Sequence, residues 1–226
     1  MTTVEVPANT IVVYGDIGCP WAHIAVHRLH ATRERLGLTD QVVIEPRAFP
    51  LELINEIPTP KLILDAEIPV AGGLEPAAGW QVWQLPTYEY PVTVLLALEA
   101  VEAAKAQGPR AAEKLDRALR VALFGQSRVI SMQHVILEIA GECGLDTEKL
   151  HDDLVHGRAR PEIQHQLAVS LSDAVEGSPH VYTPDGYNVH NPGIKLRWEG
   201  RWGVGFPVIE SDDPSVYEDL LLRAKP

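Results

Sequence analysis

The residues Cys19-Pro20-Trp21-Ala22 place one thiol where an apolar run gives way to an amphipathic stretch. Thr10-Ile11-Val12-Val13-Tyr14 is short and β-branched, which predicts a buried strand. Gly15 to Gly18 makes a turn, and from Pro20 the apolar positions Ala22, Ala25, Val26, Leu29 and Leu36 recur at helical spacing. Cys19 therefore starts a helix, with Pro20 just inside it, where proline is tolerated. Unpaired amides and the positive end of the helix dipole favour a thiolate there, so the expected midpoint of Cys19 lies below the ordinary value of about 8.5. Such a thiolate attacks disulfides, and the mixed disulfide that results needs a second thiol for its release. One turn on, the chain has Ala22. The competing reading is an inert thiol, because free cysteine is among the most buried residue types.

Other chemistry-bearing residues are sparse. Cys143, in Gly141-Glu142-Cys143-Gly144, sits at a predicted helix end and reads as an ordinary loop cysteine, with a remote resolving thiol as the alternative. His23, His27 and His30 form a polar stripe opposite the apolar face of the Cys19 helix. Cys19 and His23 lie four apart, a spacing that suits a metal or a histidine-assisted thiolate, but a solvated helix surface accounts for the stripe and no metal is assigned. The chain has no phosphate-cradling glycine loop, metalloprotease helix or Gly-x-Ser-x-Gly elbow.

The elements that must position Cys19 follow in order. A second strand is expected at Val42-Val43-Ile44-Glu45, so the chain opens as strand, helix, strand, the start of a parallel unit. Pro46 to Pro91 carries eight prolines and reads mostly as loop; loops of this length tend to be functional, often lids. Its aromatics, Trp80, Trp83, Tyr88 and Tyr90, either line an apolar pocket over Cys19 or pack between loop and helices. Val92 to Ala174 reads helical throughout, in five segments, one of them capped by Asp146. Strand-like pieces resume from Gly177 to Thr183, Tyr187 to Val189, Ile194 to Trp198 and Val208-Ile209, and a last helix is expected over Ser215 to Arg223.

The 226-residue chain has a net charge of −12, which disfavours nucleic acid and anionic lipid as partners. No stretch approaches the roughly 20 apolar residues that span a bilayer. Met1-Thr2-Thr3-Val4-Glu5 lacks the basic and apolar parts of a signal peptide, so the expectation is a cytoplasmic protein with both cysteines free.

The order strand, turn, Cys-Pro-Trp-x, helix, strand, helical segment, then Gly177-Ser178-Pro179 leading into a strand resembles the DsbA family of thioredoxin-fold proteins. Within that family it resembles the cytosolic DsbA-like oxidoreductases related to 2-hydroxychromene-2-carboxylate isomerase and kappa-class glutathione transferase. The resemblance implies an α/β thioredoxin-like fold with an all-helical insertion domain. Residues 1–55 and 175–226 would form the thioredoxin-like domain, 56–91 a proline-rich covering loop and 92–174 the insertion. It also implies that Cys19 is the nucleophile, within a catalytic segment of Cys19, Pro20, Trp21 and Ala22. Pro179 matches the family's cis proline, and Ser178 before it would pair through its backbone with a bound thiol-containing chain. His180 either faces this site or fills its strand, and His23 is a further candidate for binding. The second cysteine of the family motif is replaced by Ala22.

Three functions follow. The first is a thiol–disulfide oxidoreductase acting through Cys19 alone, released by an external low-molecular-weight thiol such as glutathione or an equivalent. The second is a thiol-dependent isomerase or transferase for a small aromatic or polyketide-like substrate, with Cys19 orienting the cofactor's sulfur. The third is a binding module without catalysis. No tightly bound cofactor is expected, the partners are a small thiol or disulfide, and a homodimer is compatible with the fold.

Overall fold

The computed structural model describes residues 3–201 and 203–225. Strand β1 (Thr10–Gly15) enters the turn that carries Cys19, and α1 (Pro20–Arg35) leaves it. Next come β2 (Val43–Ala48), the single turn α2 (Leu51–Ile54) and α3 (Lys61–Leu74). The helical block is α4 (Leu95–Ala104), α5 (Pro109–Gln126), α6 (Gln133–Glu142), α7 (Thr147–Val155) and α8 (Arg160–Ser170). The chain then returns through β3 (His180–Tyr182), β4 (Asn188–His190), β5 (Ile194–Glu199), β6 (Phe206–Asp212) and α9 (Val216–Ala224).

Four strands make one sheet in the order β2-β1-β3-β4. β1 pairs parallel with β2, from Thr10 opposite Val43 to Gly15 opposite Ala48, and antiparallel with β3, Val13 opposite Val181. β1 is thus central, and all six of its residues are buried. The side-chain period of two sends Ile11 and Val13 toward Leu29, Tyr217 and Leu221, and sends Val12 and Tyr14 toward Val169, Val175 and Tyr182. A strand covered on both faces reads as a continuous apolar run, which is why Thr10 to Tyr14 shows no alternation. The hairpin β5–β6 stands apart from this sheet. A separate core fills the helical block around Leu115, Leu119, Phe124 and Ile136. This is the α/β thioredoxin-like fold with helical insertion that the sequence leads one to expect.

The segment 46–91 departs from its reading as loop. It contains α3, fourteen residues long, with Pro60 at its N-cap and Pro69 inside it. Proline at a helix start is harmless and an interior proline costs one hydrogen bond and a kink, so proline density alone does not exclude a helix. The buried positions Ile63, Leu64, Glu67, Ile68 and Ala71 carry the helical spacing that the prolines obscure. Packing overrides the breakers here.

The histidine stripe is a second correction. α1 is enclosed by α3, α5 and α9 rather than exposed along one side. His23 is 2% exposed and His30 is also buried, with His27 half-buried. Arg28 and Arg33 are buried in the same helix, each held by acidic partners: Glu75 and Asp212 for Arg28, Glu113 for Arg33. A polar face therefore did not mean a wet one.

Candidate active site

Gly15 to Cys19 is held in place by Asp16. Its two carboxylate oxygens accept the Gly18 amide at 2.6 Å and the Leu51 amide at 2.9 Å, tying the turn to the start of α2. Its own amide donates to Ser178 Oγ at 2.9 Å. The Asp16 carbonyl accepts from Arg120 of α5, whose guanidinium is gripped by both oxygens of Asp116. One residue thus connects the Cys19 turn, α2, the segment before β3 and the helical block. Sequence pattern gives Gly15–Gly18 only as a turn and singles out neither Asp16 nor Arg120. An acidic residue inside a glycine turn was the available signal.

Cys19 occupies the N-cap of α1 and is 5% exposed. Its Sγ donates to the Ser178 carbonyl oxygen at 3.2 Å. The peptide bond between Ser178 and Pro179 is cis. The expected depression of the thiol does not occur. Burial pushes Cys19 up to about 11, and the carboxylates of Glu67 and Asp16 push the same way. The Ser178 hydroxyl and the Ala22 amide offset only part of this. The helix start offers its amide, but a largely buried sulfur flanked by acids is held toward its protonated form.

Ala22 is fully buried, and a methyl added at Gly15 would lie 3.3 Å from its Cβ, so the position one turn on is closely packed. Cys143 lies elsewhere, at the end of α6, with its thiol against the Lys114 carbonyl and beside a different surface groove. Both cysteines are free.

A cavity of about 500 Å³ opens over Cys19. Trp21, Ser178, Asn55, the chain from Ile57 to Pro60, Ile63 and Leu64 line it, with Leu196 and Trp198 of β5. Residues of the 56–91 segment, Pro58 and Ile63 among them, therefore line the cavity over the thiol. None of the four aromatics lines the cavity: Trp83 and Tyr90 pack against the core of the helical block, Trp80 packs between that core and the cluster around Cys19 and Ala22, and Tyr88 is exposed. Glu67 of α3 also lines the cavity and accepts from Trp21 Nε1 at 3.0 Å. Burial raises its carboxyl to about 7, with the indole N–H working against that rise. The sequence reading missed Glu67, although an acidic residue at an inward helical position marks it.

Two of the candidate residues are not brought to the thiol. His23 packs against Phe124 and Trp80 and bonds the Ala78 carbonyl at 3.1 Å, and burial lowers it to about 3, so it is neutral. His180 is 1% exposed, accepts the Glu176 amide through Nδ1 and bonds Asn188 Oδ1 through Nε2. It stacks on Tyr182 and fills its strand. Cys19, Pro20, Trp21 and Ser178 line the cavity together. Among the described residues no group of three or more His, Cys, Asp or Glu side chains is placed to hold a metal ion, and no helix is long and apolar enough to cross a membrane.

No curated sequence matches the chain. The fold is similar to that of a probable DsbA oxidoreductase from Streptomyces coelicolor, with a TM-score of 0.65 at 18% identity, covering 95% of this chain and 89% of that one. The cytosolic disulfide reductase DsbM from Pseudomonas aeruginosa matches with a TM-score of 0.63 at 15% identity, covering 94% and 95% of the two chains, and its structure with GSH matches equally. A 2-hydroxychromene-2-carboxylate isomerase matches with a TM-score of 0.59 at 14% identity, covering 78% of this chain and 86% of that one. At these identities the likeness establishes the fold alone. A model of the DSBA-like thioredoxin domain matches residues 10–193, most of the chain, and this protein belongs to that family.

Proposed function

We propose that this protein is a cytoplasmic thiol–disulfide oxidoreductase working through Cys19 alone and in the reducing direction. The carrying observation is the Cys19 thiol donating to the Ser178 carbonyl at the floor of a roomy cavity, with no second thiol one turn on. Cys19 gives up its proton to solvent, its sulfur attacks one sulfur of a small disulfide, and the other half leaves as a thiolate. An external thiolate then attacks the Cys19-linked disulfide, forming a new small disulfide and returning the Cys19 thiolate, which takes up a proton. Strong oxidants of this kind stabilise their reduced form through a low thiol pKa. Burial pushes Cys19 the other way, so it lacks the thiolate stabilisation that makes such a protein a strong oxidant.

A second reading is favoured by the neutral thiol and the apolar cavity walls. Here Cys19 stays protonated and donates a hydrogen bond to the sulfur of a bound thiol cofactor, as in a thiol-dependent isomerase or transferase. Glutathione is one such thiol, since DsbM has been solved with GSH. The test is Cys19→Ser, followed by mass spectrometry and turnover with a small disulfide plus thiol. Exchange through Cys19 predicts a wild-type adduct that persists until thiol is added, and no activity in the variant. Turnover that survives Cys19→Ser overturns the exchange reading in favour of the second.

A further inference from the structure

The charge of the Cys19 cavity selects the thiol that can use it. Among the described residues lining the cavity, Glu67 has the one carboxylate and there is no lysine, arginine or histidine. The nearby cations are committed elsewhere: Lys61 grips Asp65 at 2.7 and 2.8 Å, Arg28 bonds Glu75 and Asp212, and Arg120 bonds Asp116. Glu67 is 8% exposed and accepts from the neutral indole of Trp21, and among the described residues no positive charge lines the cavity to compensate it. Asp16 adds a second buried carboxyl below the turn, and the whole chain bears −12. An anion entering such a space leaves its hydration shell and meets a like charge, with no counterion to replace the water. The remaining walls, among them Pro58, Ile63, Leu196 and Trp198, suit an uncharged framework.

We infer that the low-molecular-weight partner of Cys19 is an uncharged or cationic thiol, and that Glu67 excludes anionic ones, glutathione with its two carboxylates included. This rests on the reading of Cys19 as the exchanging thiol. Glu67 acts here as a specificity-determining residue.

The test uses the full chain carrying Cys143→Ser at pH 8.5, where Glu67 is ionised, with two sets of probes on Cys19. Alkylation by neutral iodoacetamide is compared with anionic iodoacetate, each rate divided by that of 2-mercaptoethanol. Adduct formation is compared for cystamine, bis(2-hydroxyethyl) disulfide and oxidised glutathione by intact mass. The expected result is a normalised preference of tenfold or more for the neutral alkylating agent, and for the cationic and neutral disulfides over oxidised glutathione. In Glu67→Gln, which keeps the oxygen that accepts from Trp21, both preferences should fall several-fold. A normalised ratio near one, or a preference that Glu67→Gln leaves unchanged, overturns the inference. If all three disulfides fail to add while iodoacetamide reacts, the exchange reading is overturned, and the alkylation pair alone then decides charge selection.

Discussion

The Cys19 thiol donates to the Ser178 carbonyl oxygen at 3.2 Å, while the Ser178 hydroxyl accepts the Asp16 amide at 2.9 Å. Two segments separated by most of the chain therefore meet at one sulfur. The arrangement turns on where protons reside, because burial raises Cys19, Asp16 and Glu67 alike.

Cys19 should react as a thiol, not as a standing thiolate. In a Cys143→Ser background its alkylation rate should climb about tenfold per pH unit from 7 to 10, following the thiolate fraction of a group with its midpoint near 11. A plateau below about pH 8.5 would contradict this. Glu67→Gln, which removes a charge that raises the thiol, should shift the curve to lower pH.

Ala22→Cys should change how the adduct is released. In the wild type, the mixed disulfide on Cys19 persists without added thiol, because nothing one turn on can attack it. A thiol at position 22 would free the adduct unaided, within the dead time of a quench experiment monitored by mass. Because Ala22 is fully buried against Gly15, the extra sulfur should also cost about 1–3 kcal/mol of stability, measured by urea unfolding.

Arg120 should be needed for the fold as much as for the site. Its guanidinium is buried between Asp116 and the Asp16 carbonyl. Arg120→Met leaves Asp116 as an unpaired buried charge, and a loss of about 3–5 kcal/mol is expected in denaturant titration. A change under 1 kcal/mol would mean that α5 does not brace the Cys19 turn.

Glu67 should make the protein less stable as the pH rises toward neutral. Its carboxyl moves from 4.5 to about 7 on folding, so the folded state binds the proton more tightly than the unfolded one. The stabilisation from that proton is full below pH 4.5 and is lost as the pH passes 7, a swing of about 3 kcal/mol. Relative to Glu67→Gln, the wild type should therefore weaken between pH 4.5 and 8, measured as the difference in urea midpoints. A difference that stays flat with pH would remove Glu67 from the buried, uncompensated position assigned to it.

Local pattern carried much of this protein. The apolar run of β1, the Pro20 helix start, the Asp146 cap and the tail strands all follow from period and capping, which depend on residues close in sequence. The resemblance built on Cys19, Pro20, Trp21 and Gly177-Ser178-Pro179 reached the right family because the order of elements is itself a local property. Tertiary structure decided the rest. Whether His23 is wet, whether Pro69 ends a helix and whether Cys19 ionises depend on what packs against them from α3, α5 and β5. A helix start lowers a thiol pKa only while water or a cation shares the charge. Here burial, together with Glu67 and Asp16 drawn in from separate segments, outweighs the amide, and no spacing rule along the chain encodes that balance.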